Sequence, residues 1–397
     1  MEPKIRFSSS NILYEEKTLS EISTINPKTN VPLEFEYVDL ESVSGTEMTN
    51  HRTEHKATAP SRAQRLAKKG DIFYQTVRPY QKNNYYFDMD DDNYVFSTGY
   101  AQIRPSIYGK YLFTLLQNDS FLKQVLDNCA GTSFPAINPS VLSRLSVRIC
   151  KDKQEQQAIA SYFTSLDSQI SAATSRLASL KQMKAASLQA MFPQEGETVP
   201  TIRFKGFEGE WTWLKLGDIS EQVKRKAPIN STAPVMMISA LNGFINQSEK
   251  YSDNNAGSSL ANYTLLKKGE LSYNHGYSKT RNFGSCFNLL VEEARIPFVY
   301  HSFRLTNDND SFYAYYLNSG TKDKDLKRLV SSTARMDGLL NISFKNYMEL
   351  SVPHPSLAEQ QAIANYFTSL DRQISLQSQR LEKLKQIKSA CLDKMFV

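Results

Sequence analysis

The residues with the clearest potential for catalysis are His51, Glu54 and His55, which have the H-x-x-E-H spacing of inverted zinc proteases. That chemistry needs two imidazoles on one face of a helix, a third metal ligand and a carboxylate that acts as general base. The segment lies among Thr, Asn and Ala-Pro and has no apolar helical period. A chance match in a polar segment is therefore the better interpretation.

The sequence contains none of the common nucleotide-binding or methyl-transfer motifs. It lacks the G-x-x-x-x-G-K-[ST] loop and the G-x-G-x-x-G fingerprint. It has no Pro-Pro pair, which excludes the Asn/Asp-Pro-Pro-aromatic motif of amino-methyltransferases. Its four cysteines, Cys129, Cys150, Cys286 and Cys391, have no C-x-x-C spacing, which argues against a zinc knuckle or a disulfide framework. We expect a chain without catalytic residues and without a metal or cofactor of its own.

Two polar, basic stretches favour an anionic partner. The net charge of +6, from 47 Lys and Arg against 41 Asp and Glu, permits such a partner without requiring it. Lys and Arg neutralise phosphates, and Arg, Asn and Gln form the paired hydrogen bonds that distinguish base edges. One basic run is usually a solvated face, but one run in each half of the chain makes binding of a polyanion an equally good interpretation. The candidate contacts in the first half are Lys56, Arg62, Arg65, Lys68, Lys69, Gln75, Thr76, Arg78, Lys82 and Asn83. Those in the second half are Lys224, Arg225, Lys226, Asn274, His275, Tyr277, Lys279, Arg281 and Asn282.

The elements that must position these residues are organised by a tandem repeat. Residues 155–192 recur at 359–396, an offset of 204, with roughly two-thirds of the positions identical. The sequence predicts two mixed α/β domains at 1–151 and 201–355, a linker at 193–200, and long helices at 152–192 and 356–397. Strands are expected at 35–40, 72–77, 94–103, 145–149, 235–239, 270–273, 286–290 and 298–305, and short helices at 111–116, 120–128, 311–318 and 324–330.

Each long helix carries a heptad seam of apolar residues, and such a seam needs a partner. The economical partner is the duplicate helix, so we expect an antiparallel coiled coil with pseudo-two-fold symmetry. The seam residues are Ile159, Phe163, Leu166, Ile170, Leu177, Leu180, Ile363, Phe367, Leu370, Ile374, Leu381 and Leu384. Capping boxes are predicted at Asp152-x-x-Glu155 and Ser356-x-x-Glu359. Lys184 and Lys388 occupy equivalent seam positions, where the seam is expected to open or the lysines to extend to solvent or another subunit.

The repeat also matches at positions that lie off the apolar seam. A coiled coil with a purely structural role does not explain these matches, because a solvated face is free to vary. Two similar faces would bind two copies of one protein partner. The candidate partner-binding residues are Asp167, Gln169, Arg176, Lys181, Asp371, Gln373, Arg380 and Lys385.

The composition excludes several classes of protein. A length of 397 residues predicts two to three domains, and a 40% hydrophobic fraction with 11% aromatics excludes disorder. No run of about 18 apolar residues is present, so no membrane span is expected. The first residues lack the apolar core of a signal peptide, which predicts a cytoplasmic protein.

Several motifs resemble those of the specificity subunits of bacterial type I restriction-modification systems. The strongest match is Glu155-Gln156-Gln157-x-Ile159-Ala160 through Leu166-Asp167-x-x-Ile170, with its copy from Glu359. Further similar segments are Arg6-Phe7, residues 203–211 and 216–219, Ser61-Arg62-Ala63, Gly70-Asp71-Ile72, Val77-Arg78-Pro79, residues 97–100 and Phe134-Pro135-Ala136-Ile137. The second block departs from the pattern, since it lacks the Ser-Arg-Ala and Val-Arg-Pro segments.

The resemblance implies a non-catalytic DNA-binding subunit with two target recognition domains. Each domain would read one half of an asymmetric, bipartite DNA target, and the paired helices would set the gap between the halves. Two methyltransferase subunits would dock on the helices with S-adenosylmethionine, and restriction subunits would join through them with ATP and Mg²⁺. Two alternatives stay open: a specificity partner of a fused methylase-nuclease, and a coiled-coil scaffold that does not bind DNA.

Overall fold

The computed structural model describes residues 3–7, 14–228, 230–249, 257–278, 280–330 and 340–396. These residues form two units, one of Met1–Ser175 with Ser378–Val397 and the other of Arg176–Gln377. We call them unit 1 and unit 2. Both boundaries between the units fall inside the long helices, so each unit contains one mixed α/β block and half of each helix.

The central strands of unit 1 are rich in buried aromatic and β-branched residues. They are β1 (Tyr14–Thr18), β2 (Ser23–Ile25), β3 (Glu34–Val38), β4 (Val43–Ser44), β5 (Glu47–Met48), β6 (Arg52–His55), β7 (Ala63–Leu66), β8 (Ile72–Gln75), β9 (Tyr85–Tyr86), β10 (Tyr94–Ser97), β11 (Tyr100–Pro105) and β12 (Ser146–Cys150). The short helices are α1 (Leu19–Ile22), α2 (Gly109–Leu115), α3 (Asp119–Asp127) and α4 (Pro139–Leu142).

Two four-stranded sheets hold most of these strands, in the orders β6-β3-β10-β7 and β2-β11-β8-β9. Every residue of β8 and β10 is buried, as expected for strands covered on both faces. Phe73 of β8 stacks on Phe96 of β10, with ring centroids 3.6 Å apart. The single strand predicted at 94–103 is wrong, because the chain breaks it into β10 and β11, which belong to different sheets.

Unit 2 has the same plan with shorter sheets. Its strands are β13 (Thr212–Lys215), β14 (Ser220–Gln222), β15 (Met236–Ser239), β16 (Gly243–Asn246), β17 (Thr264–Lys267), β18 (Leu271–Asn274), β19 (Ser285–Asn288), β20 (Glu293–Ile296), β21 (His301–Leu305) and β22 (Ser351–His354). The main sheet has the order β14-β21-β18-β19. In chain order, the long helix α5 (Lys153–Ala190) precedes this block, and α6 (Asp310–Leu317), α7 (Asp323–Leu329), α8 (Phe344–Met348) and the long helix α9 (Leu357–Met395) follow β21.

The long helices α5 and α9 pair antiparallel, which confirms the predicted fold class. In unit 1 the N-terminal half of α5 packs against the C-terminal half of α9, where the Phe163 and Phe396 rings lie 6.1 Å apart. In unit 2 the C-terminal half of α5 packs against the N-terminal half of α9, and Ser187 Oγ lies 2.9 Å from Tyr366 Oη. The seam residues buried in these contacts are Ile159, Phe163, Leu166, Leu180, Ile363, Phe367 and Leu370, while Ile170, Leu177, Ile374, Leu381 and Leu384 are half-buried.

The seam lysines do not open the coil or extend away from it, which corrects the prediction for Lys184 and Lys388. Lys388 pairs with Asp167 inside unit 1, and Lys184 pairs with Asp371 inside unit 2, both at 2.5 Å. The charged ends therefore bridge the two helices in the same way in each unit.

The predicted capping boxes form only in part. Asp152 Oδ1 accepts from the Gln154 amide, and Ser356 Oγ accepts from the Glu359 amide. The carboxylates of Glu155 and Glu359 turn instead to segments near the start of each block. Glu155 accepts from the amide of Phe7 at 3.1 Å.

Glu359 accepts more of these hydrogen bonds than Glu155 does. It accepts from Arg203 Nε at 2.7 Å, from Arg203 Nη2 at 2.8 Å and from Trp211 Nε1 at 3.1 Å. The Glu359 side chain is 2% exposed. This buried ion pair fixes the start of the unit 2 block to the start of α9.

Candidate nucleic-acid interface

The candidate site in unit 1 is the turn that follows β8. The chain leaves the strand at Gln75 and enters a short 3₁₀ turn at Pro79–Gln81, flanked by Arg78 and Lys82. Arg78 and Lys82 have positive φ angles of 53° and 55°. A side chain with a Cβ rarely adopts this left-handed conformation, and such strain concentrates at functional turns.

Gln75 and Thr76, both predicted DNA contacts, hold this turn from inside. Gln75 Nε2 donates to Val77 O at 2.7 Å and to Gln81 Oε1 at 2.8 Å. Thr76 Oγ1 donates to Gly99 O at 2.8 Å. Both side chains are buried. Their polar groups serve the buried backbone of the turn, as buried polar groups generally do.

Arg78 extends from the turn and lies over an exposed aromatic ring. Its guanidinium carbon is 4.4 Å from the centroid of Phe134, which is 61% exposed. The Arg78 amide donates to Pro135 O at 2.8 Å, and Val77 forms an isolated bridge with Ala136. Phe134 was not among the predicted site residues, although the segment that contains it, Phe134-Pro135-Ala136-Ile137, resembles a family motif.

Some of the other predicted cations of the first block already have a partner within the chain, and others do not. Lys69 pairs with Asp90 at 2.6 Å, Lys82 pairs with Asp119, and Lys56 Nζ donates to Val31 O. Arg62 and Lys68 are exposed, and among the described residues neither side chain has an ion-pair partner. Asn83 Oδ1 accepts from the Gly45 amide, which ties that loop to the turn.

Arg65 combines a half-buried guanidinium with an unsatisfied donor. Its Nε is buried without a hydrogen-bond partner in the described part of the chain. Burial lowers the pKa of Arg65 below its ordinary value. The group still carries its charge at neutral pH, because an arginine guanidinium does not lose its proton in that range. An anionic acceptor would satisfy it.

In unit 2 the equivalent turn follows β18. Asn274 Oδ1 accepts from the Gly276 amide at 3.0 Å, so this side chain shapes the turn. His275 is 5% exposed, and its Nδ1 and Nε2 lie 2.7 and 2.9 Å from the carbonyl oxygens of Leu340 and Val299. His275 therefore holds the turn in this structure, and its contact with DNA stays a prediction. Tyr277 is 63% exposed.

The remaining predicted residues of unit 2 are spread over several loops. Arg225 binds Glu270 through two hydrogen bonds of 3.1 and 3.3 Å. Burial lowers the pKa of Arg281, which is half-buried near Asp323. Lys224, Lys226 and Asn282 are exposed. Lys279 lies outside the described residues.

The predicted partner-binding residues also separate into two groups. The exposed ones are Gln169, Arg380 and Lys385 in unit 1 and Arg176, Lys181 and Gln373 in unit 2. Asp167 and Asp371 belong to the interhelical ion pairs described above, so their repetition has a structural explanation. The candidate docking surface is therefore reduced to six residues, three in each unit.

The H-x-x-E-H segment does not have the geometry of a metal site. Its residues lie in and beside β6, where His51 Nδ1 binds Glu36 at 2.7 Å and His55 Nδ1 lies 3.4 Å from Glu34. No cluster of three or more His, Cys, Asp or Glu side chains suited to a metal occurs among the described residues. The described helices also include none that is both long and apolar enough to span a bilayer.

Two solved structures are similar in fold to this chain over nearly its whole length. The S subunit of a type I restriction-modification system from M. genitalium has a TM-score of 0.63 at 16% identity, covering 100% of this chain and 99% of that one. A chain from a structure titled for complex assembly and conformational transition of the type I R-M system has a TM-score of 0.53 at 19% identity, covering 97% and 98%.

Sequence comparison identifies the family. The specificity subunit of the type I restriction enzyme HindI, from Haemophilus influenzae, is 34% identical over 139 residues, which is 34% of this chain and 30% of that relative. The matched segment thus spans less than a third of the relative's length. The family model described as the type I restriction modification DNA specificity domain matches residues 11–182 and again 208–386. The chain therefore belongs to the type I restriction-modification DNA specificity domain family.

Proposed function

We propose that this chain is the non-catalytic DNA-specificity subunit of a type I restriction-modification complex. The observation that carries the proposal is the duplication of one plan: each unit joins a mixed α/β block, with an exposed polar turn, to the same antiparallel helix pair. Two dissimilar blocks on one such support are suited to a DNA target made of two different half-sites. We propose that each block is a target recognition domain.

The different residues at the two turns support an asymmetric target. Arg78 stands on the turn of unit 1 and Tyr277 on the turn of unit 2. A guanidinium and a phenol have different sets of donors and acceptors, so they would select different bases. The antiparallel helices would then set the number of base pairs between the half-sites.

The methyltransferase subunits are proposed to dock on the exposed helix residues that match between the repeats. The surface in unit 1 includes Gln169, Arg380 and Lys385, and the equivalent surface in unit 2 includes Gln373, Arg176 and Lys181. Two equivalent surfaces would bind two copies of one subunit. Those subunits would bring S-adenosylmethionine, and restriction subunits bound through them would bring ATP and Mg²⁺.

Mapping of methylated positions across the genome of a strain that expresses this chain with its methyltransferase tests the proposal. We expect methylation at one asymmetric, two-part motif with a fixed gap. No such motif would appear if the chain were a scaffold that does not bind DNA, or if it did not bind the methyltransferase subunits. Either result would refute the proposal. A fused methylase-nuclease in place of separate subunits would point to the alternative restriction class.

A variant with two insertions tests the role of the helices as a spacer. Seven residues inserted after Ser175 and after Gln377 lengthen both helices where the units meet and preserve the heptad seam. Each insertion adds about 10 Å of helix, which corresponds to about three base pairs of DNA. We expect a longer gap between unchanged half-sites. An unchanged gap would refute the spacer role.

A further inference from the structure

The two units repeat one strand-and-turn arrangement in detail. At its start, Gly70 donates from its amide to Phe87 O at 2.7 Å in unit 1, and Gly269 donates to Leu289 O at 2.9 Å in unit 2. The following acid then closes the turn onto itself. The Lys68 amide donates to Asp71 Oδ2 at 2.9 Å, and the Lys267 amide donates to Glu270 Oε2 at 2.7 Å.

The end of the strand is repeated as well. The Ile137 amide donates to Thr76 O at 3.0 Å in unit 1, and the Leu340 amide donates to His275 O at 2.8 Å in unit 2. Thr76 and His275 are both buried and both fasten the turn through their side chains. Two residues later come Arg78, which is half-buried, and Tyr277, which is exposed. An offset of 199 residues therefore places Arg78 and Tyr277 at the same position of the two turns.

We propose that this shared position selects a base in each half-site, with Arg78 reading one half and Tyr277 the other. The inference rests on the proposed function and adds to it the residues and the chemistry of the reading. A guanidinium is suited to guanine, because its forked N–H groups match the O6 and N7 acceptors in the major groove. A phenol offers one hydroxyl and a flat ring, so it makes a different selection.

The surroundings of Arg78 favour a base edge over a phosphate as its target. Phe134 covers one face of the guanidinium, which restricts its plane while its N–H groups stay available at the edge. The left-handed backbone at Arg78 and the hydrogen bond from its amide to Pro135 fix the start of the side chain. Among the described residues no carboxylate pairs with it, in contrast to Lys69 and Lys82. A fixed, planar and unpaired donor suits directional reading, whereas phosphate binding needs only charge.

The test uses the chain together with its methyltransferase, acting on a library of DNA sites in which each position of the motif is randomised. Arg78→Lys keeps the positive charge but loses the planar, forked pair of N–H donors of the guanidinium. We expect discrimination at one base pair of one half-site to fall by about 5- to 150-fold, the range for loss of one bidentate base contact. Phe134→Ala leaves Arg78 in place but frees its plane, and it should weaken discrimination at the same base pair. Tyr277→Phe should alter only the other half-site.

Arg144→Lys is the matched control, because Arg144 is an exposed arginine of the same unit outside the turn. It should leave the motif unchanged. Uniform loss of methylation over all sequences in Arg78→Lys would show a phosphate contact and overturn the inference, as would a motif unchanged in both Arg78→Lys and Phe134→Ala. A motif unchanged in Tyr277→Phe would overturn the assignment for unit 2. Absence of any two-part motif with the unaltered chain would instead refute the proposed function.

Discussion

Lys388 and Asp167 form an ion pair of 2.5 Å between the C-terminal half of α9 and the N-terminal half of α5. Lys184 and Asp371 form the same pair in unit 2. Each pair joins the helices at one defined register, because a shift of either helix by one residue would separate the charges. The seam alone is less selective, since an apolar surface tolerates sliding.

The first prediction concerns the energy of this pair. Asp167→Asn should destabilise unit 1 by about 1 kcal/mol, since the side chains are partly exposed and solvent weakens the attraction. A double-mutant cycle with Lys388→Met should show that the two changes are coupled. Hydrogen exchange of the α9 amides measures the effect. Asp393→Asn, an exposed change on the same helix, is the control, and equal effects of both aspartate changes would contradict the assignment.

The second prediction concerns the buried carboxylate of Glu359. Glu359→Ala should destabilise unit 2 by about 3 kcal/mol, because it leaves the Arg203 guanidinium and Trp211 Nε1 without their acceptor. Urea unfolding followed by Trp fluorescence detects the change near Trp211. Glu382→Ala, at an exposed position of the same helix, should cost well under 1 kcal/mol. A small effect of Glu359→Ala would show that the ion pair is not needed.

The third prediction separates free from paired cations in DNA binding. Arg62→Ala should lower the salt dependence of binding by about one charge, since log Kd changes by about 0.9 per phosphate contact for each tenfold change in salt. Arg52→Ala should change it less, because Arg52 is already paired with Asp39 and Glu54. Binding isotherms at several salt concentrations provide the comparison. Equal salt slopes in both variants would exclude Arg62 as a phosphate contact.

The fourth prediction concerns the docking surface. Combined Gln169→Ala, Gln373→Ala, Arg176→Ala and Arg380→Ala should release the methyltransferase subunits, because it removes exposed side chains from both equivalent surfaces. Co-elution of the purified complex in size-exclusion chromatography is the measurement. Arg372→Ala is the control, since Arg372 is exposed on α9 but corresponds to Ser168 in the first repeat. Persistent co-elution of the fourfold variant would place the docking surface elsewhere.

The fifth prediction is a pH dependence that arises in unit 2. Burial, with a smaller effect of neighbouring His275, lowers the pKa of His301 below its ordinary value of 6.5. In the folded protein His301 thus stays neutral over a range where the unfolded chain binds a proton. The contribution of neutral His301 to the stability of the fold is therefore fully present above about pH 6.5. It is lost as the pH falls from there toward the lower pKa of His301 in the folded state.

Stability should therefore be lower at pH 5.5 than at pH 7.5. Urea unfolding at these two pH values measures it. His301→Gln should reduce the pH dependence, although it lowers stability at both values by weakening the hydrogen bond to Ile342 O. A pH dependence that is identical in the variant would assign it to other groups.

The long helices and their pairing could be predicted because a heptad seam has one simple solution, a partner with the same seam. The interhelical ion pairs could not be placed, although Lys184, Lys388, Asp167 and Asp371 all match between the repeats. Periodicity gives the face of a residue but not the register between two antiparallel helices. The matched aspartates were therefore predicted to bind a second protein, whereas each forms an ion pair with a lysine of its own unit.

The candidate site shows a similar limit. Gln75, Thr76 and His275 have the side chains of base-reading residues, and composition could not show that each is used to hold a buried turn. Arg78 and Tyr277 were found by the same reasoning; Tyr277 is exposed, and Arg78 is half-buried without an ion-pair partner among the described residues. Phe134 was missed because an aromatic residue is expected in a core, and its exposure follows from a loop conformation set by contacts with Arg78 and Val77.

The course of the long helices also sets an order for folding during synthesis. Unit 2 is continuous in sequence from residue 176 to 377, so all of its contacts can form once that stretch has left the ribosome. Unit 1 begins earlier but needs Leu392, Met395 and Phe396 to complete its core. The first block made is therefore the last to close, and it waits with an open apolar surface until the end of α9 emerges. A chain truncated after residue 377 and released from the ribosome would hold a complete second unit and an incomplete first one.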